Sequence, residues 1–277
     1  MVIDAITYNN ERELLELRLN ILDDFVDRFV IMEATKTFSG KSKSLYFERD
    51  KELFKKWGHK IKYYVLDDWD NEEIWEMAGK SPNTEYGQGA QHWLQEFYIK
   101  EHLKIPLQDL TDEDIIFIGD CDEIWSPEFI YINPEFVYVN LPKKLKLMVY
   151  SYWLNNKSNE EFWGTLVACY KDIKDECLNH LRSNLKFKTE SEYGWHFTSQ
   201  GGSENVKKKL TDSYTSDSYA NDWVLNNLKE NIDNNRDFLG RNFTYTLDES
   251  KWPDYLKNNR DKYKHLIKPI KKPTKLD

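Results

Sequence analysis

The chain has 277 residues, enough for one large α/β domain or two small ones around a substantial core. Its 40% hydrophobic and 31% charged residues describe a folded, soluble chain, and its net charge of −9 argues against a nucleic-acid partner. No apolar run approaches the ~20 residues of a membrane helix. The chain starts directly in a strand pattern with no basic, apolar leader, so a cytoplasmic location is expected. The three cysteines, Cys121, Cys169 and Cys177, include no Cys-x-x-Cys pair and suggest neither a disulfide framework nor a zinc site.

In chain order, Val2 to Tyr8 reads as a first strand, with a turn at Asn9 and Asn10 and Asn10 as a candidate helix cap. The helix from about Glu11 to Leu22 carries a wide apolar face of Leu14, Leu15, Leu17, Leu19, Ile21 and Leu22. Arg18 falls in the middle of that face, where it needs a carboxylate partner, either a structural one or a ligand's. Asp27 to Ala34 is a second strand, and Glu33 at its end is a candidate to accept hydrogen bonds from a ligand's ribose or base. The polar loop from Thr35 to Ser44 contains Lys41, which either closes over a phosphate or is simply solvated.

Leu45 to Phe47 suggests a short edge strand, Asp50 to Trp57 a short helix, and Lys60 to Leu66 a third strand. Asp67 to Gly89 reads as a long polar loop. Ala90 to Leu103 has the i, i+3, i+4, i+7 spacing of a helix.

The run Ile115-Ile-Phe-Ile118 then reads as a buried strand of a parallel sheet. Gly119 follows, and then Asp120, Asp122 and Glu123. Open α/β sheets bind ligands at the carboxyl ends of their strands. In extended backbone Asp120 and Asp122 project to one side, where a hard divalent ion, Mn²⁺ or Mg²⁺, would offset their repulsion.

Beyond Pro127 the pattern changes. Lys144 to Leu154 and Phe162 to Tyr170 predict longer strands and an antiparallel portion. Helices are predicted over Glu204–Leu210 and Asp222–Leu228, and a peripheral helix with a loose tail from Lys251. His196, between Trp195 and Phe197 and just before Gly201-Gly202, is a candidate to complete an O,O,N metal set with Asp120 and Asp122. Trp153, Trp163 and Trp195 are candidates to stack on acceptor sugars, with core packing as the alternative for each.

Several blocks together resemble glycosyltransferase family 17. They are Asn10-Glu11 with Leu14 to Asn20, Phe29 to Lys41, Leu45-Tyr-Phe, Gly119-Asp-Cys-Asp-Glu-Ile, and Gly194-Trp-His-Phe with Gly201-Gly202. The resemblance implies a GT-A-type nucleotide-sugar-binding α/β fold, with a mostly parallel central sheet and a mixed or antiparallel acceptor-side portion. One domain would span 1–250, with a nucleotide half to about 125 and an acceptor half beyond it, followed by a peripheral 251–277.

It also implies an inverting transfer from a UDP-sugar donor, UDP-N-acetylglucosamine, to a carbohydrate hydroxyl. Asp120 and Asp122 match the metal and diphosphate motif, His196 the late histidine and Glu33 the acidic strand end. Donor contacts are then expected from Thr7, Tyr8, Asn9, Glu33, Lys41 and Asp120. Inversion requires a general base. Glu192 is the candidate, with Glu190, Asp217 and Glu123 as competitors. A haloacid-dehalogenase-type phosphatase and a non-catalytic sugar-binding protein are the rival readings.

Overall fold

The computed structural model describes residues 1–80, 91–132, 141–213 and 219–269. Its centre is a mixed sheet with helices on both faces. Strands β1 (Val2–Thr7), β2 (Arg28–Ala34), β3 (Ile61–Leu66) and β4 (Ile115–Asp120) lie side by side in the order β3-β2-β1-β4, all parallel. Their apolar residues alternate between two cores. Ile6, Phe29, Ile31 and Phe117 face one, and Ile3, Val30, Met32 and Ile116 the other. Burial on both faces is why these strands read as continuous apolar runs.

Helix α1 (Arg12–Leu22) packs on the first core through the predicted leucine face. It begins after Asn10, whose φ of 74° is left-handed; Asn10 therefore turns the chain, and Glu11 takes the cap position. Helix α2 (Tyr46–Asp50) replaces the expected edge strand at 45–47. Helix α3 (Glu72–Gly79) interrupts the expected long loop, and its cap Asn71 accepts from the Ile74 N–H at 3.1 Å. Helix α4 (Gln91–His102) covers the second core with α3.

After β4 come β5 (Glu123–Trp125), α5 (Glu128–Ile132), β6 (Lys143–Ser151), β7 (Asn156–Ser158) and β8 (Phe162–Cys169). Then follow α6 (Leu178–Ser183), β9 (Lys188–Thr198), α7 (Gly202–Ser213), α8 (Asp222–Asp233), β10 (Tyr245–Leu247) and α9 (Asp254–Asn258). From β8 onward the pairing is mainly antiparallel: β8 runs against β4 and β6, β7 against β6 and β10, and β5 against β9, while β6 and β9 are parallel. A third, smaller core lies between α7 and α8.

The segment after Lys251 is not a loose tail over its described residues. Trp252, Leu256, Tyr263, Leu266 and Ile267 are buried in the first core. Their spacing follows a short helix and a 3₁₀ turn, so no long helical period announces them. Among the described residues no helix is long and apolar enough to cross a membrane.

Candidate active site

The site grows from the shared end of β1 and β4. Register places Thr7 beside Asp120, and the Thr7 hydroxyl donates to Asp120 Oδ1 at 3.1 Å. The acidic turn that follows is pinned from below by Arg18. This side chain is fully buried, and its Nε and Nη2 donate to the two oxygens of Asp4 at 2.6 and 2.7 Å. Its Nη1 reaches the carbonyls of Glu123 at 2.7 Å and Asp120 at 3.2 Å. Trp125 adds an indole N–H to Asp4 at 2.9 Å and stacks on Phe117, with centroids 3.8 Å apart. Arg18 is therefore a structural cation that fixes the backbone of the acidic turn.

Two glycines give this turn its shape. A Cβ on Gly119 would lie 2.7 Å from Glu123 Oε2, and one on Gly164 2.9 Å from Glu123 Cδ. The Glu123 carboxylate fills that space, accepting from the Asp120 N–H at 3.2 Å and from Arg182 at 3.1 and 3.2 Å. Burial pushes its pKa up, although Arg182 pulls the other way.

The two aspartates part company. Asp120 faces α4 and α6, with Lys100 Nζ at 3.3 Å and Arg182 Nη1 at 3.5 Å. Burial works to raise its pKa, but these two cations prevail and hold the carboxyl below the usual range. Asp122 faces β9 and α7, with His196 Nε2 at 3.7 Å and Lys209 Nζ at 3.6 Å. The β5–β9 ladder makes the first approach possible, since Glu123 pairs with His196 and the Phe197 N–H donates to the Asp122 carbonyl at 2.9 Å. Phe162 stacks on the imidazole at 4.1 Å.

These groups open into a cleft of ≈ 650 Å³ that also takes in Thr7, Tyr8, Asn9 and Trp163. A second hollow of ≈ 710 Å³ adjoins it, sharing Asn9, Glu11, Asp122 and Lys209.

Other expected site residues lie elsewhere. Glu33 is fully buried, and its oxygens accept from Lys43, from the Tyr46 and Phe47 N–H groups and from the Tyr63 hydroxyl, at 2.6–3.0 Å. It caps α2, so no oxygen is left for a ribose or base. Lys41 lines the second hollow, with its ammonium on the Thr211 carbonyl at 2.9 Å. Glu192 is exposed on β9 and lines neither cavity. Glu190 is exposed too, and Asp217 is outside the described residues.

Trp195 is buried, donating to the Lys251 carbonyl at 2.7 Å, and Trp153 packs where a Cβ on Gly202 would come within 2.9 Å of it. Neither reaches the cleft. Trp163 does, but its ring already holds the ammonium groups of Lys188 at 3.6 Å and Lys146 at 5.2 Å.

The O,O,N set is not assembled as expected. Among the described residues no three His, Cys, Asp or Glu side chains are grouped to hold a metal ion. Asp120 is turned to its two cations, which leaves Asp122 and His196 as the donor pair. Mg²⁺ and Mn²⁺ are commonly held by one or two carboxylates together with substrate phosphates and water, so this pair fits an ion shared with a phosphate-bearing donor. It does not form an all-protein cage.

Sequence reasoning missed Lys100, Arg182, Lys209 and Glu11. Lys100 had one faint signal, a Glu96–Lys100 i,i+4 pair at 2.7 Å. Glu11 stood in a matched block without being singled out. Its carboxylate accepts from the Asn9 N–H at 2.8 Å; burial and Asp122 raise its pKa while Lys209 opposes them.

A buried, cation-balanced acidic turn at a strand end, opening into a large cleft, has the makings of a site for an anionic or strongly polar ligand. A family model described as Glycosyltransferase family 17 matches residues 1–209, and the chain belongs to that family. The human and rat proteins called beta-1,4-mannosyl-glycoprotein 4-beta-N-acetylglucosaminyltransferase are each 30% identical to it over 129 residues. Those matches cover 44% of this chain and 21% of each relative, so the chain spans about a fifth of the relatives' length. Among solved structures, "Crystal structure of S. aureus TarS 1-349" aligns with 75% of this chain and 62% of its own, at 11% identity and a TM-score of 0.35. Mouse xyloside xylosyltransferase 1 aligns with 54% of this chain and 52% of its own, at 12% identity and a TM-score of 0.27. Likenesses that weak bear on neither the fold nor the activity.

Proposed function

We propose that the chain moves a sugar, N-acetylglucosamine from UDP-N-acetylglucosamine, with inversion onto a hydroxyl of a glycan or polysaccharide, on a GT-A-type fold. One observation carries this reading: the two aspartates at the end of β4 face different partners inside one cleft large enough for a nucleotide sugar. The relatives' name supports the choice of sugar.

The nucleoside lies against the β1 end, at Thr7, Tyr8 and Asn9. Asp122 and His196 would hold Mn²⁺ or Mg²⁺, which when bound supplies Lewis-acid neutralisation of the leaving diphosphate. Lys209, beside Asp122, adds a fixed positive charge directed at the same charge development. Lys100 and Arg182 keep Asp120 ionised and fixed beside Thr7. Glu192, exposed and lining neither cavity, is set aside as the base. Glu11, beside Asn9, and Glu160, which meets Arg241 at 3.2 Å, are carboxylates that line the cleft, and they take over as candidates for the base.

The test is a thermal-shift titration of UDP-N-acetylglucosamine with Mn²⁺ or with EDTA, on the wild type and Asp122→Asn. A Mn²⁺-dependent rise in Tm that disappears in the variant supports the assignment. A rise of equal size with EDTA, or in Asp122→Asn, refutes the metal role. Absence of sugar transfer or donor hydrolysis despite donor binding would leave the sugar-binding reading in its place.

A further inference from the structure

Cations outnumber their partners around the part of the cleft that Lys144 lines; Lys188, beside it, is not itself a lining residue. Lys144 of β6 and Lys188 of β9 are directly paired across the parallel ladder. Like charges placed opposite each other on a sheet destabilise it. Among the described residues neither lysine makes an ion pair. Glu123 acts on Lys144, and Glu161 on Lys188, only at longer range. Lys188 rests instead on the face of Trp163, 3.6 Å from its centroid.

Behind Lys144 stand Arg182 and Lys100, already engaged by Asp120, Glu123 and Glu96. Arg182 nevertheless keeps one buried N–H, at Nε, without a partner. Burial, with repulsion from Arg182, Lys188 and Lys100, presses the Lys144 pKa down to about 8. A fold normally satisfies buried donors and separates like charges. Here two opposed ammonium groups have no ion pair among the described residues and stand near an over-subscribed guanidinium, and an anion is what that cluster lacks.

We propose that Lys144 and Lys188, with the Arg182 charge behind them, form a subsite for an anionic group, phosphate or carboxylate, carried by the acceptor. The inference rests on the transferase reading above. The acceptor is favoured over the donor by position. Lys144, Trp163 and Gly164 lie on β6 and β8, beyond Asp120 from the β1 end, whereas the proposed diphosphate seat is at Asp122 and Lys209. Charge-assisted hydrogen bonds from the two ammoniums would hold such a group and relieve the repulsion between the lysines.

The experiment compares matched sugars by calorimetry at low ionic strength: mannose 6-phosphate against mannose, and glucuronate against glucose. Each is titrated into the full chain with and without UDP and Mn²⁺, in the wild type and in the double variant Lys144→Gln/Lys188→Gln. The charged sugar of at least one pair is expected to bind about ten-fold or more tightly than its neutral partner. That preference should survive saturation with UDP and vanish in the variant, whose Tm is not lowered because a repulsive pair has been removed.

Equal affinity of charged and neutral sugars for the wild type overturns the proposal. So does competition by UDP, which would make this wall part of the donor seat, and so does a fall in the variant's Tm with the preference intact, which would make the lysines structural. UDP binding is read in the same samples. Its absence counts against the transferase reading, while the sugar pairs still decide the anion subsite.

Discussion

Replacing Arg18 with Met tests the claim that one buried cation organises the acidic turn. Arg18 and Asp4 are 0% and 1% exposed, so the variant would leave the Asp4 carboxylate uncompensated, with the Trp125 indole as its remaining partner. The carbonyls of Asp120 and Glu123 lose a donor as well. Removing one member of a buried ion pair costs about 3–5 kcal/mol, most of it the penalty of the stranded charge. Adding Asp4→Asn removes that charge, and the double variant should recover at least about 1 kcal/mol as coupling between the sites. It should not recover fully, because each unsatisfied buried carbonyl still costs about 1–3 kcal/mol. The assay is urea unfolding followed by tryptophan fluorescence and far-UV circular dichroism. A loss below about 1 kcal/mol in Arg18→Met, the size of an ordinary substitution, would refute the reasoning. A double variant no better than the sum of the two single ones would do the same.

Gly119→Ala puts a Cβ 2.7 Å from Glu123 Oε2 and 3.1 Å from Thr165 Oγ1, so a stability loss of about 1–3 kcal/mol is expected, with reduced donor turnover as Glu123 is displaced. Wild-type stability and turnover in that variant would show that the strand end has slack. Burial lowers the His102 pKa, and its Nε2 meets the Tyr64 hydroxyl at 3.2 Å. The neutral ring's stabilisation is thus complete above the unfolded pKa of ~6.5 and is lost as pH falls toward the folded value, at up to ~1.4 kcal/mol per pH unit. In His102→Gln that acid-side slope should flatten; an unchanged slope assigns it to other groups. Lys209→Met should weaken Mn²⁺-dependent binding of UDP-N-acetylglucosamine by about ten-fold at low salt, and an unaltered thermal-shift titration would remove Lys209 from the donor site.

The parallel half of the fold was legible because its signals are local. An apolar run flanked by turn residues gives β1, β2 and β4, and a leucine face gives α1. The failures come where a distant group decides. Leu45-Tyr-Phe has strand-like residues, yet the N–H groups of Tyr46 and Phe47 are satisfied by Glu33, thirteen residues or more upstream, and that side chain turns the segment into a helix start. The same contact takes Glu33 out of the ligand site. Nothing within a turn's length of position 45 marks either outcome. The C-terminal segment fails for a related reason: its buried residues are spaced for short turns, and only the groove beside α1 makes them core.

The site shows the same division between contiguous and scattered information. Asp120, Asp122 and Glu123 are neighbours in the chain, so the acids were visible at once. Their cations come from α4, α6 and α7: Lys100 and Arg182 stand alone among other residue types, and Lys209 is one of three consecutive lysines, so nothing in the chain ties the three together. That asymmetry biased the inference toward a metal bridging both aspartates, since two adjacent carboxylates seen alone need a cation between them. The structure supplies cations of its own to Asp120. Register then finishes the argument. Strand β4 ends at Asp120, and the chain turns through Cys121 and Asp122 before β5 begins, so the extended-strand rule that put both side chains on one side no longer applies. Thr7, Lys100 and Arg182 claim the first aspartate and β9 and α7 the second, leaving only Asp122 with a neighbouring imidazole to offer a metal.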